Sequence, residues 1–305
     1  MVAHSRHCIL CSGEARPFFE GTDAILACWE CGVVFDLRSA LGKAFYEDER
    51  QTHVDRDTIS SRKRNVRQRV GLLKKYLTID SHVLDIGCGE GLFLKEVKGS
   101  VGSVFGVEPT PISADYSRRV LNLDVRQGMI EDIEFPGESF DIVTMFHVLE
   151  HVENPASVLK KIRNWIRPGG CLVIEVPNIG SPTARHKGLS WELIYPEHRF
   201  HFNPRSIKYL LEREGFRPLE IRSRDFDQYR VGIGTNLRKL GFVTPRKMQS
   251  CPAPKQSKKD GNIPANTSFL KRLRRGLQLP LKVLLGWLVM RCNCGDYLFV
   301  VARKK

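Results

Sequence analysis

Short apolar runs alternate with helix-patterned stretches between residues 83 and 222, and this alternation constrains the fold more than any other feature. The runs are Val83–Ile86, Ser103–Val107, Phe140–Met145 and Cys171–Val176, with a weaker one at Leu123–Gln127. Among the intervening helix patterns, "NPASVLKKIRNWI" opens with Asn154 at the N-cap and Pro155 at the first helical position. It carries Val158, Leu159, Ile162, Trp165 and Ile166 on one face. "NPRSIKYLLEREGF" repeats the device, with Asn203 capping, Pro204 opening, Ile207, Leu210 and Leu211 inward, and Gly215 as the stop. Strand and helix in alternation predict a parallel sheet covered on both faces, with ligands held beyond the carboxyl ends of its strands.

The first run leads into "LDIGCGEG", Leu84–Gly91, a glycine loop leaving a buried strand. Glycines there let the backbone approach a ligand closely. A dinucleotide loop needs a third glycine where this chain has Leu92, so the pattern is D-x-G-x-G-x-G instead. Asp85 at its mouth suits a ligand bearing positive charge. The second strand ends in "FGVEP", which puts Glu108 where an acidic residue hydrogen-bonds a ribose diol.

The chain has 305 residues, 42% of them hydrophobic, enough for one large domain with small additions. Polar residues break up the N-terminus, so no signal peptide is predicted, and no run approaches the ~20 apolar residues of a membrane span. A cytoplasmic location with reduced cysteines is the expectation. The formal charge of +14 is confined to residues 236–305, which hold 16 Lys and Arg against 2 Asp and Glu. The other 235 residues carry 32 charges of each sign and balance. A neutral body speaks against nucleic acid as a partner of the site.

"CILCSG" and "CWECG" are two C-x-x-C knuckles, each with a glycine after it for the turn. Cys8, Cys11, Cys28 and Cys31 are the expected ligands of a closed structural Zn²⁺ site. A redox motif needs only one pair.

Together, the D-x-G-x-G-x-G loop, Glu108 and "RPGGCLVIEVPN" resemble the class I S-adenosylmethionine-dependent methyltransferases. "FDIVTMFHVLEHVENPASVLKKIRNWIRPGG" looks like their small-molecule branch. The resemblance covers about residues 80–222 and resumes at "GDYLFVVARK", the last, antiparallel strand. It implies an α/β, Rossmann-like fold with a seven-stranded, mostly parallel sheet, here joined to the small N-terminal zinc ribbon. It also implies S-adenosyl-L-methionine contacts at Asp85, Gly87, Cys88, Gly89, Glu108, Pro109, Met129, Ile130, Glu131, Phe146 and His147. Asp85 would face the methionine ammonium and Glu108 the ribose. Backbone groups around Ile130 would read the adenine edge, although Met129 stands where the family often has an acidic side chain.

Residues 178–202, "NIGSPTARHKGLSWELIYPEHRFHF", are long, aromatic and histidine-rich, as expected of a lid over a substrate. "YPEH" resembles the Tyr-x-Glu-His set of sugar C-methyltransferases, which also carry an N-terminal cysteine zinc domain. That resemblance implies His198 as general base, Glu197 orienting it, and Tyr195 and His151 binding the acceptor. His147-Val148-Leu149-Glu150-His151 also matches the inverted zinc-protease motif, which requires a helix; its position after the fourth strand speaks against a protease. Either histidine faces the acceptor or is simply a hydrogen-bonded structural residue.

The boundaries expected are a zinc ribbon at 1–45, a helical connector at 46–80, the core at 81–224, a basic insertion at 225–294 and the last core strand at 295–305. Within the insertion, Phe269–Arg291 is basic and then apolar. It either packs on the core or lies against anionic lipid at the inner face of the membrane. The function expected is methyl transfer to a small or lipid-linked acceptor, such as a sugar or a cell-envelope precursor. An RNA methyltransferase with a zinc module and a catalytically inactive cofactor-binding protein are the rivals.

Overall fold

The computed structural model describes residues 7–39, 56–224 and 294–305. Residues 225–293 of the basic insertion, including its 269–291 segment, lie outside the described residues. Among those described, no helix is long and apolar enough to cross a membrane.

Two sheets organise the molecule. The N-terminal strands β1 (Ala15–Pro17), β2 (Ile25–Cys28) and β3 (Val34–Asp36) pair antiparallel. The connector follows as α1 (Arg56–Leu73). Within the connector expected at 46–80, this helix stops at Leu73. The chain turns at Leu73, whose carbonyl accepts from Tyr76 N–H at 2.8 Å, and the Tyr76 hydroxyl reaches Glu220 at 2.7 Å. A tertiary contact thus overrides helical propensity there.

The core then alternates as expected: β4 (His82–Ile86), α2 (Leu92–Val97), β5 (Ser103–Glu108), α3 (Pro111–Arg119), β6 (Asp124–Gln127), β7 (Phe140–Phe146), α4 (Pro155–Trp165) and β8 (Ile166–Pro177). Beyond it come α5 (Pro182–Lys187), β9 (Phe200–His201), α6 (Pro204–Arg213), β10 (Phe216–Arg224) and β11 (Tyr297–Lys304). The large sheet has seven strands in the order β10-β11-β8-β7-β4-β5-β6. Its pairs are parallel from β8 through β7, β4 and β5 to β6, and only β11 runs antiparallel to its neighbours. The Rossmann-like expectation holds.

Both predicted caps form. Asn154 accepts from Ser157 N–H, and Asn203 makes a capping box with Ser206. Ile166 departs from its expected place on the face of α4. The helix ends at Trp165 and Ile166 opens β8, still fully buried. Either assignment hides its apolar side chain, so periodicity alone does not separate them.

β9 is two residues long and belongs to the N-terminal sheet, not the large one. Val34 pairs with His201 and Phe35 with Phe200. The Asn203 amide also donates to the Gly32 carbonyl at 2.7 Å, beside the second cysteine knuckle. The stretch expected as a lid is therefore bolted to the N-terminal sheet. Trp191 and Leu193 are buried in one cluster with Ile25, Val34 and Tyr297.

Candidate active site

The site is built at the carboxyl ends of β4, β5 and β7, where a parallel sheet opens a crevice. Gly87, Gly89 and Gly91 all have left-handed φ, at 69°, 54° and 71°. A Cβ on Gly87 would sit 2.4 Å from Val148, so glycine alone fits that approach. Glu108, buried, accepts from Gly89 N–H at 2.8 Å and from Thr110 N–H at 2.9 Å. One carboxylate thereby fixes both the glycine loop and the exit of β5. Burial raises the Glu108 carboxyl above its ordinary range, and the two amides pull it back only partly. Asp85, at 3% exposure, accepts from the Thr144 hydroxyl at 2.6 Å. Burial pushes its carboxyl up to about 7, against the opposing pull of Thr144 and Arg69 and with a small addition from Glu108.

A cleft of about 180 Å³ opens beside this loop. Gly87, Glu108, Pro109, Met129, Ile130, Glu131 and His147 line it, as does His151. Asp85, Cys88, Gly89 and Phe146 are not among its lining residues. Cys88 packs in the core, and burial raises its thiol. Phe146 stacks edge-on with Phe93 at 5.1 Å under the Arg69 guanidinium. Both carboxylate oxygens of Glu131 are buried without a hydrogen-bond partner, leaving an acceptor for a ligand N–H two residues from Met129.

His147 has a left-handed φ of 60°. Its ring lies 3.4 Å from Glu150 and 3.2 Å from Glu175. Burial disfavours the charged ring, yet the two carboxylates outweigh it and raise His147 above its usual value. Glu175, fully buried in β8, also pairs with Arg69 of α1 and lies 3.4 Å from Arg224 at the end of β10. These cations hold its carboxyl well below the carboxylate range although burial opposes them. This cluster is absent from the sequence reading. Its one local signal is a glutamate inside "CLVIEVPN", since a charge in a buried strand demands a partner.

The 147–151 segment is a turn, not a helix, so the protease geometry is absent. His151 and His198 nevertheless meet, with ring centroids 4.8 Å apart, and Tyr195 lies 5.0 Å from His198. The carboxylate packed against this pair is Glu150, fully buried. Glu197 contributes its backbone carbonyl, which accepts from His151 Nδ1 at 2.9 Å. Burial lowers His198 to about 3, only partly offset by Glu150, so its ring is neutral and weakly basic. His201 is buried nearby with neither ring nitrogen hydrogen-bonded.

The four cysteines Cys8, Cys11, Cys28 and Cys31 converge, with sulfurs 3.6 Å apart for Cys8–Cys31 and 3.4 Å for Cys11–Cys28. Thiolates around one zinc at ~2.3 Å lie about 3.8 Å from each other, so the set fits a tetrahedral ion. The turns differ from expectation in one detail. Gly32 takes the left-handed conformation in the second knuckle, whereas Ser12 takes it in the first. Gly13 is not left-handed and lies beside the end of the exposed Glu30 side chain.

The family described as "Methyltransferase domain" matches residues 57–221, more than half of the chain. A ubiquinone biosynthesis O-methyltransferase of Cereibacter sphaeroides is 34% identical over 101 residues, covering 32% of this chain and 41% of that protein. A probable S-adenosylmethionine-dependent methyltransferase of Mycolicibacterium smegmatis is 29% identical over 136 residues, covering 44% and 51%. The chain thus spans about half the length of these relatives. A solved S-adenosylmethionine-dependent methyltransferase from Archaeoglobus fulgidus aligns at 20% identity with a TM-score of 0.48, covering 79% of this chain and 94% of that one.

The cysteine geometry predicts one tightly held zinc per chain by metal analysis. Cys31→Ser should lose it, lower the melting temperature and, through the β3–β9 pairing, disorder the His198–His201 segment by amide exchange. Unchanged zinc content in that variant would refute the assignment.

Proposed function

The chain belongs to the methyltransferase-domain family, and we propose that it is an S-adenosylmethionine-dependent methyltransferase of the small-molecule type whose cleft divides its work as follows. The cofactor lies along the glycine loop. Asp85 takes its ammonium, Glu108 its ribose diol, and Glu131 with the backbone near Ile130 its adenine. The observation carrying this reading is one cleft lined by Glu108 and Glu131 together with His147 and His151. The sulfonium then points toward the turn after β7, next to the acceptor side.

The acceptor is held by His151, His198 and Tyr195 beneath the 178–202 stretch, with Glu197 supporting His151 through its carbonyl. Methyl transfer from a sulfonium is an in-line displacement with a good leaving group, so catalysis rests on positioning and on removing the acceptor's proton. The Tyr-x-Glu-His segment beside an N-terminal cysteine cluster supports a saccharide acceptor, free or lipid-linked as in envelope precursors. The neutral charge of residues 1–235 speaks against RNA.

Two experiments test these assignments. With methyl-labelled cofactor and fractionated cell extract, label should enter the saccharide fraction, water-soluble or lipid-linked. Label in RNA would overturn the acceptor reading. The buried Asp85 must ionise to meet an ammonium, so cofactor affinity should rise between about pH 5.5 and 7, by close to tenfold per unit at the acid end. Asp85→Asn should flatten that dependence. A pH-independent affinity in the unmodified protein would contradict the ammonium contact.

A further inference from the structure

We infer that Glu150, His151 and His198 bind a catalytic divalent metal ion at the acceptor end of the cleft, separate from the cysteine site. One ligand atom from each lies within 4.8 Å of the other two. The three come from two distant parts of the chain, the turn after β7 and the stretch before β9, and their meeting is a product of the fold.

The hydrogen bonds around them point the same way. His151 Nδ1 is 2.9 Å from the Glu197 carbonyl, and His198 Nδ1 is 2.9 Å from the Leu193 carbonyl. A carbonyl only accepts, so each Nδ1 carries the hydrogen and each ring keeps an Nε2 lone pair free for a ligand. Such backbone contacts orient metal-binding histidines. Glu150 is fully buried, and neither of its carboxylate oxygens accepts a hydrogen bond. His147 Nδ1, at 3.4 Å from Oε1, is the neighbour of that oxygen within ion-pair reach. A buried carboxylate without hydrogen bonds is costly unless a cation completes it.

Two imidazoles and one carboxylate suit a first-row divalent ion of the Mn²⁺, Fe²⁺, Co²⁺ or Zn²⁺ kind, and they leave coordination positions open. His151 also lines the cofactor cleft, which puts those positions beside the transferred methyl group. The inference rests on the acceptor placement proposed above and specifies its chemistry. An acceptor hydroxyl binds the ion and ionises, its proton passing to water. The oxygen lone pair then forms the O–CH₃ bond as the S–CH₃ bond breaks, and S-adenosylhomocysteine departs. The ion does the work of a base by lowering the hydroxyl's pKa.

The test is a Mn²⁺ titration of the full chain carrying one equivalent of zinc, which the four thiolates take first, followed by loss of the free-ion electron paramagnetic resonance signal. Zinc in the thiolate site keeps Mn²⁺ out of it, because Mn²⁺ favours nitrogen and oxygen donors. We expect one Mn²⁺ per chain, and at least about tenfold weaker binding in Glu150→Gln, His151→Asn and His198→Ala. All three variants should retain cofactor binding by calorimetry. Absence of Mn²⁺ binding in an unmodified protein that binds the cofactor would overturn the metal site alone. So would unchanged Mn²⁺ affinity in all three variants. Absence of cofactor binding in the unmodified protein would count against the underlying reading instead.

Discussion

Four carboxylates, Asp85, Glu108, Glu150 and Glu175, are buried where the large sheet opens, and none exceeds 6% exposure. Ionised groups in such a place are tolerable only if each is answered. Each is answered differently. Glu175 has two arginines and His147; Glu108 has two backbone amides; Glu150 has a ring of histidines. Asp85 has one hydroxyl and the more distant Arg69, and its carboxyl is pushed up to about 7 by burial. This raised acid sits at the glycine loop, which is where a cationic ligand belongs.

These pairings also explain why parts far apart in the chain must fold together. Arg69 reaches Glu175 from the connector helix, so α1 is tied to the buried strand β8. Removing one member of a buried pair costs on the order of 3–5 kcal/mol, more than a helix cap contributes at ~1 kcal/mol. The ribbon is coupled by a different device. β3 pairs with β9, and Asn203 ties the second knuckle to the helix that follows. The cysteine cluster thereby holds in place the stretch that carries Tyr195, Glu197 and His198.

Much of this architecture is legible locally. Apolar runs mark four of the parallel strands clearly, Asn-Pro pairs mark two helix starts, and C-x-x-C spacing marks the cysteine site. The glycine loop and Glu108 are legible because close backbone approach and ribose recognition require particular residues at particular strand ends. The missed features are long-range. Nothing near Arg69 or Arg224 announces Glu175, and a two-residue strand such as β9 has no period to detect. "YPEH" draws attention to Glu197, but the fold sets Glu150 against His198 instead, because the turn after β7 brings it there. Ile166 is ambiguous for a simpler reason: helix face and strand bury it equally well.

The account stands or falls on what the loop from Asp85 to Glu108 holds. A crystal grown with S-adenosylhomocysteine tests it most directly. The expected result is one nucleoside per chain, with its ammonium on Asp85 and its ribose hydroxyls on Glu108. An empty cleft, or a nicotinamide dinucleotide taken up in its place, would contradict it.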